Sequence, residues 1–370
     1  MTTDRRSFLR GSAVLATTLA MPAVLRPATA TASPLFAPRP GAWRSFEITT
    51  TIAVAKPAGR TKVWVPVPAF AGDGWMKPGE TTWTNAAGQA EIVTDAVSGA
   101  TMVRGAWTAD QTPHLVVVST FSGRDRQVDL TATTGARLSA EDRKRYTAPT
   151  SMKPADGIVG ETAAKITAGA SGDLDKARRI YDWVVDNTFR NPKTRGCGTG
   201  DIASMLHTGN LSGKCADLNA LYVGLARAAG LPARDIYGLR VAPSAFGYAS
   251  LGAKNQLVTK AQHCRAEVFV DGLGWVPADP ADVRKVVLEE PPGNLALDDP
   301  KVVAARQALF GSWETNWLAY NDAYDIALPG SNNEVESFMM YPQGETENGR
   351  PDSLDADAFK YTITVREVIA

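Results

Sequence analysis

Hydrophobic and polar residues alternate through the first part of the chain with the period of two that is typical of strands. The alternation is clearest over residues 45–54 (SFEITTTIAV) and 62–67 (KVWVPV), and the apolar run 115–118 indicates a further buried strand. Clusters of proline and glycine separate these segments. We therefore predict a β-sandwich-like domain over residues 41–135.

The pattern changes after a charged, proline-rich segment at residues 136–160, which we predict to be a linker between two domains. Apolar residues then recur at helical spacing from Asp173, and again from Cys215 up to the stop signal at Gly230. Three strands are predicted to follow, at residues 235–241, 263–270 and 274–278. Helices followed by antiparallel strands predict an α+β catalytic domain over residues 161–370, with a C-terminal extension.

Residues 300–324 return to helical spacing and include four aromatic residues three or four positions apart. These are Trp313, Trp317, Tyr320 and Tyr324. We interpret them as the buried face of a helix, and the alternative is a lid that covers the active site. A final alternation over residues 359–365 predicts a closing strand.

The first 32 residues differ from the rest. The sequence DRRSFLR at residues 4–10 precedes an apolar run at 11–25 and small-residue cleavage sites, and together these resemble a twin-arginine export signal. The apolar run is shorter than the ~20 residues of a membrane span and is broken by Pro22. We expect an exported protein, periplasmic or extracellular, whose mature chain has no membrane span.

Charge and composition exclude several classes of partner. Basic and acidic residues number 39 each, and removal of residues 1–32 takes away four basic residues and one acidic residue, leaving 35 and 38. Such a balance provides no basic field for nucleic acid. The three histidines, at 114, 207 and 263, are too scattered for a metal cluster, and there is no glycine-rich phosphate loop. We therefore expect neither metal nor cofactor, and we interpret His114 and His207 as surface or structural residues.

The candidate chemistry centres on Cys215. A helix N-terminus and an adjacent cation, here Lys214, lower the pKa of a thiol from ~8.5 toward ~3.5 to 7.5. His263 opens a predicted strand, and Asp279 follows the tight turn after that strand, so the returning chain can bring the carboxylate to the imidazole. Nucleophile, base and orienting group are all present.

Four blocks around these residues resemble the transglutaminase-like superfamily. They are GKCADLNALYV at 213–223, RAAGLPAR at 227–234, HCRAEVFV at 263–270 and GWVPADP at 274–280. The resemblance covers residues 160–285 and implies a papain-like α+β core with Cys215, His263 and Asp279 as catalytic triad. It implies a cysteine-dependent hydrolase of amides or peptides that works through a thioester, with peptides of the cell envelope as candidate substrates. The alternatives are a transglutaminase that crosslinks proteins and a catalytically idle binding module.

Further residues receive supporting roles. Asn210 and Lys214 are candidates for binding the oxyanion, and Glu267, two pleats from His263, is either a supporting partner of the histidine or a solvated residue. Asp217 is expected to cap the helix that Cys215 begins, within reach of Arg234.

Two other expectations concern the remaining cysteines and the residue after them. If Cys215 is the free thiol, Cys197 and Cys264 are left to form a disulfide. Arg265 stands where the family often has an aromatic residue. A cation beside His263 would repel a protonated amine and attract a carboxylate-bearing substrate, which favours water over an amine as the group that resolves the thioester.

Overall fold

The computed structural model of the protein describes residues 36–54 and 57–368, so the export signal predicted for residues 1–32 lies outside it. The first described part of the chain consists of strands. They are β1 (Arg44–Ala53), β2 (Thr61–Pro66), β3 (Met76–Asn85), β4 (Gln89–Thr94), β5 (Thr101–Trp107), β6 (His114–Gly123) and β7 (Arg126–Gln127). Among the helices of the described residues, none combines the length and the apolar content needed to cross a bilayer.

Strands β1, β3 and β6 form one antiparallel sheet and β2, β4 and β5 form a second, and the two sheets pack face to face. Each sheet gains its fourth strand from the end of the chain. Along β1 and β6 every second side chain is buried, as the alternating sequence predicts. The shared core contains Ile52 from one sheet and Val63 and Val103 from the other, so the two inner faces cover each other. The predicted β-sandwich is confirmed.

The segment 136–160 is more ordered than the predicted linker. It contains the helix α1 (Ala140–Thr147), capped by the Ser139 side chain, and the start of α2 (Gly157–Thr167). Tyr146 is the buried residue of α1, so this helix has no repeating apolar face. Without such a period the segment has no helical signal in its sequence, so the helices within the predicted linker could not be anticipated.

The catalytic region alternates helices and short strands up to a four-stranded antiparallel sheet of order β12-β11-β10-β14. The elements are α3 (Asp173–Asn187), β8 (Phe189–Arg190), α4 (Ile202–Thr208), β9 (Ser212–Gly213), α5 (Cys215–Ala228), β10 (Ala233–Arg240), β11 (Gln262–Val270), β12 (Gly274–Ala278), α6 (Pro280–Glu289), α7 (Pro300–Ala308), β13 (Ser312–Trp313) and β14 (Trp317–Asn321). Helix α5 packs on β11 and β10 and is buried along nearly all its length. The α+β class predicted from the sequence is confirmed.

The aromatic series at residues 313–324 does not lie on a helix, and this prediction was wrong. Helix α7 ends at Ala308, and Trp313 and Trp317 belong to two separate strands, β13 and β14. Every residue of β14 is buried, so the strand shows no polar alternation that would distinguish it from a helix. Trp313, Trp317 and Tyr320 are core residues rather than a lid.

The last strands return to the N-terminal sandwich. Strand β15 (Gln343–Glu345) pairs with β2, and β16 (Lys360–Val368) pairs with β1 over nine residues. The catalytic domain predicted over residues 161–370 is therefore too long, since its final part completes both sheets of the first domain. Alternation predicted β16 as a strand, but an alternating strand does not specify which sheet edge it joins.

Candidate active site

Cys215 is the first residue of α5, and Asp217 holds this end of the helix in place. The carboxylate of Asp217 accepts hydrogen bonds from the backbone N–H groups of Lys214 (3.0 Å), Thr199 (2.9 Å) and Gly200 (3.0 Å). It thus caps the helix and ties the preceding glycine-rich loop to it. This is the structural role expected of Asp217. The expected contact between Asp217 and Arg234 is not made, because Arg234 pairs with Glu267 and Asp322.

The sulfur of Cys215 lies between two other thiols. Hydrogen bonds from Cys197 and then Cys264 lower the pKa of Cys215 well below its ordinary value, burial opposes them, and the hydrogen bond and charge of His263 add to the lowering. The hydrogen bond to Cys215 and burial raise the pKa of Cys197 well above its usual range, and burial does the same for Cys264. Cys215 is therefore the thiolate of the three. The S–H of Cys197 also lies within hydrogen-bond distance of the backbone oxygen of Gln262 (3.4 Å).

The predicted disulfide between Cys197 and Cys264 is not formed. All three cysteines are free and buried. Cys264 points from the face of β11 opposite to His263, as alternation predicts, but it reaches the sulfur of Cys215 from there. The sequence does not reveal that both candidate partners converge on the nucleophile.

His263 and Asp279 are directly hydrogen-bonded, with 2.8 Å between Nε2 and Oδ2. The hairpin of β11 and β12 pairs Ala266 with Ala278, which brings Asp279 back alongside the start of β11. Asp279 is also the N-cap of α6, and its Oδ1 accepts from the amide of Asn219 (3.2 Å). Since the carboxylate holds Nε2, the Nδ1 atom remains for proton exchange with Cys215.

A second carboxylate, Asp282, lies 3.4 Å from His263 Nε2 and 2.5 Å from the buried guanidinium of Arg240. Burial and the Arg240 charge lower the pKa of His263, but Asp282 and Asp279 outweigh them and raise it to about 9. Sequence reasoning missed Asp282. The available signal was its position three residues after Asp279, which places both on the first turn of α6.

The donor atoms of His263, Asp279 and Asp282 lie within 4.8 Å of one another, a spacing that a metal ion could bridge. Two guanidinium groups already face these carboxylates, however. Arg240 contacts Asp282, and Arg265 Nε lies 3.8 Å from Asp279 Oδ2. A cation there would be repelled by both arginines, so the cluster fits a protonated histidine rather than a metal.

A cleft of about 610 Å³ opens onto Cys215 and His263. Its wall combines residues around the nucleophile with Tyr341, Leu354 and Tyr361 from the segment that returns to the sandwich. The cleft is therefore lined by residues of both domains.

Residues 160–280, which include all three candidate catalytic residues, match the family model of the transglutaminase-like superfamily. The chain belongs to this superfamily. An uncharacterized protein of Haemophilus influenzae (strain ATCC 51907 / DSM 11121 / KW20 / Rd) is 33% identical over 343 residues, which cover 87% of this chain and 91% of that protein.

Among solved structures, the transglutaminase-like chain is similar to a "putative cysteine protease" from Cytophaga hutchinsonii, with a TM-score of 0.49 and 16% identity over 89% of this chain and 99% of that one. It is also similar to the periplasmic domain of TgpA from Pseudomonas aeruginosa, with a TM-score of 0.33 and 13% identity over 64% of this chain and 94% of that one.

Two residues to which the sequence analysis assigns supporting roles lie away from the cleft. Asn210 is exposed, and its Oδ1 accepts hydrogen bonds from Ser212, so it is not an oxyanion donor for Cys215. Glu267 is fully buried between Arg126 and Arg234, where it links the catalytic sheet to β7, the strand that follows the sandwich strand β6. The expected contact of Arg234 with Asp217 is replaced by this ion cluster.

Arg265 does not face the substrate, which overturns the interpretation of its charge. Its side chain is 3% exposed, donates to the backbone oxygen of Glu314 (2.9 Å) and lies over the ring of Trp317. Trp317 in turn donates from Nε1 to the backbone oxygen of His263 (2.8 Å). Arg265 also does not pair with Glu267. Its Nε lies 3.8 Å from Asp279 Oδ2, so its positive charge stabilises the Asp279 carboxylate.

Tyr341 is a residue of the site that no sequence signal indicates. It lies outside the family match, is 8% exposed, and its hydroxyl lies beside Cys197. Burial and then the nearby Cys197 raise the pKa of Tyr341 well above its usual range, so the hydroxyl keeps its proton. It is a donor in the wall of the cleft that holds Cys215.

Proposed function

We propose that this protein is an exported, cysteine-dependent hydrolase of amides or peptides with Cys215, His263 and Asp279 as catalytic triad. The observation that carries the proposal is the 2.8 Å hydrogen bond of His263 Nε2 to Asp279, beside a cysteine with a strongly lowered pKa. With the pKa of His263 raised to about 9, thiolate and imidazolium coexist at neutral pH.

In the proposed reaction, Cys215 Sγ attacks the amide carbonyl carbon, and the carbonyl electrons move to the oxygen. The tetrahedral intermediate collapses, the amine leaves with the proton of His263 Nδ1, and a thioester remains. Water then gives a proton to Nδ1 as it attacks the thioester. Collapse releases the carboxylic acid and restores the thiolate and the imidazolium.

Two donors are suited to the developing oxyanion. The N–H of Cys215 donates no hydrogen bond to any described residue, whereas the next N–H, of Ala216, is taken by the backbone oxygen of Cys197 (2.9 Å). The hydroxyl of Tyr341 is the second donor. Preorganised donors of this kind in a buried site stabilise the transition state without reorganisation.

Amine transfer, the crosslinking alternative, has less support. Lys214, Lys254 and Lys260 contribute to the cleft wall, and ammonium groups there repel a second, protonated amine. The positive charge of these lysines, rather than that of Arg265, is therefore the reason to expect that water resolves the thioester. An idle binding module is also disfavoured, because cysteine, histidine and aspartate are all retained with lowered and raised pKa values that suit catalysis.

The test is a partition experiment. A library of amide-containing peptides is incubated with the protein and millimolar primary amine, and free acid and amine adduct are quantified by mass spectrometry, with Cys215→Ala as control. We expect mainly free acid, formed only by the wild type. A product that is mainly adduct would assign transfer, and turnover by Cys215→Ala would remove Cys215 from the mechanism.

The export part of the proposal rests on the signal-like residues 1–32. Replacement of Arg5 and Arg6 by lysine is expected to retain the full-length precursor in the cytoplasm, measured by fractionation and N-terminal sequencing. Equal export of the variant would remove the twin-arginine assignment and leave the hydrolase proposal untouched.

A further inference from the structure

The wall of the cleft carries charge of one sign. Seven of its residues are lysine or arginine, and none is aspartate or glutamate. The chain as a whole has equal numbers of acidic and basic residues, so this asymmetry is local and does not follow from composition. A concave wall of one sign concentrates ligands of the opposite charge.

Four of the seven cations have carboxylate partners. Arg240 pairs with Asp282, Arg195 with Asp352, and both Arg190 and Lys285 contact Glu289. Because Arg190 and Lys285 share Glu289, three carboxylates offset most of the charge of these four cations.

The other three cations are Lys214, Lys254 and Lys260, and none has a carboxylate within 4.0 Å among the described residues. Lys214 directly precedes the nucleophile. Lys254 and Lys260 belong to the segment between β10 and β11 that leads to His263. Their ammonium groups supply the unbalanced positive charge of the cleft.

Two backbone hydrogen bonds hold the segment that carries Lys254 and Lys260, one at Ala253 and one at Val258. Ala253 N–H donates to the backbone oxygen of Ala242 (2.9 Å), and Val258 N–H donates to that of Ile363 in β16 (2.8 Å). Val258 is buried, whereas the two lysines are exposed. The backbone thus holds both lysines at the rim of the cleft, from where their ammonium groups can reach an incoming substrate.

We propose that the cleft selects acyl substrates with carboxylate groups beside the scissile amide, and that Lys254 and Lys260, with Lys214, determine this specificity. The proposal deepens the proposed function and rests on it. Cations without carboxylate partners at the rim act mainly on the rate of substrate encounter and on substrate orientation. The preference for carboxylate-bearing substrates should therefore weaken as added salt screens the ammonium groups.

The first test uses two alkylating agents of similar shape that differ in charge. The thiolate of Cys215 displaces iodide from iodoacetate or from iodoacetamide, so a C–S bond forms and iodide leaves in both cases. We expect the ratio of the iodoacetate rate to the iodoacetamide rate to fall ~10-fold in Lys254→Glu/Lys260→Glu. The control Lys144→Glu/Lys165→Glu changes net charge equally at exposed positions outside the cleft and should keep the wild-type ratio. Equal ratios in both double variants would overturn the proposal.

The second test does not depend on a reactive thiol. Binding of an acetylated glutamate tripeptide amide and of its glutamine counterpart to the Cys215→Ala protein is measured at low and high salt. We expect tighter binding of the glutamate peptide at low salt, lost in Lys254→Glu/Lys260→Glu and kept in the control. Equal binding of both peptides would overturn the specificity even if hydrolysis is found, whereas charge-selective binding without turnover by the wild type would keep the subsite and reject the hydrolase.

Discussion

Asp282→Asn should lower the pKa of His263, and the structure sets the size of the effect. Asp282 lies 3.4 Å from His263 Nε2, and both side chains are buried. At an effective dielectric constant of ~20, a charge pair at this distance interacts by ~5 kcal/mol, or ~3.5 in pKa. This figure is an upper bound, because the site relaxes. We expect the pKa to fall from about 9 by ~2 or more.

The matched control removes the partner charge as well. Arg240 pairs with Asp282, and breaking a buried pair by removal of one member costs about 3–5 kcal/mol of stability. Asp282→Asn/Arg240→Gln removes both charges, and since Arg240 lowers the pKa of His263, its loss offsets part of the effect. The double variant should therefore show a pKa between those of Asp282→Asn and the wild type.

The assay is an NMR titration of imidazole signals in the intact protein. The chain has three histidines, so single His→Gln variants assign every signal. Because the folded pKa of His263 is raised, its charged form stabilises the wild type below pH ~6.5, and this contribution is lost as the pH rises toward 9. In Asp282→Asn the loss should occur at lower pH. A His263 pKa within ~0.5 of the wild-type value in the folded variant would refute the reasoning.

Three further changes test other contacts. Cys197→Ala removes a hydrogen bond to the Cys215 thiolate, so its pKa should rise and alkylation by iodoacetamide at pH 6 should slow ~10-fold, with full labelling restored at high pH. Tyr341→Phe should lower kcat ~10²-fold and leave alkylation unchanged, whereas slower alkylation would indicate a structural role. Glu267→Gln should cost about 3–5 kcal/mol in urea unfolding, because the part-buried Arg126 loses its carboxylate and Arg234 keeps only Asp322. Burial raises the pKa of Glu267, but the two arginines outweigh burial, and the net pKa is lowered. The contribution of Glu267 to folding stability is therefore present above pH ~4.3 and is lost as the pH falls below that value.

Local patterns predicted the parts of the site that neighbours in sequence determine. The helix that begins at Cys215, the hairpin that returns Asp279 to His263 and the cap made by Asp217 each follow from short motifs. Asp282 could have been found by the same reasoning, from its spacing in the first turn of α6.

Long-range placement could not be predicted in this way. Tyr341 is 341 − 215 = 126 residues from the nucleophile, and no period or motif marks it. Arg265 shares a strand face with His263, as alternation indicates, but whether that face meets solvent or a neighbouring element depends on β14 and its tryptophan. The all-buried β14 also lacked the alternation needed to distinguish strand from helix.

The pairing of β1 with β16 makes the order of synthesis matter. Residues 53 and 360 bound the two strands and are 360 − 53 = 307 residues apart, so at ~5–20 residues per second β1 waits ~15–60 s on the ribosome for its partner. During that time one edge of β1 is open to other chains or to a chaperone. Tyr361, on β16, also joins the cleft wall only then. A nascent chain therefore carries Cys215 for many seconds before the wall of its cleft is complete.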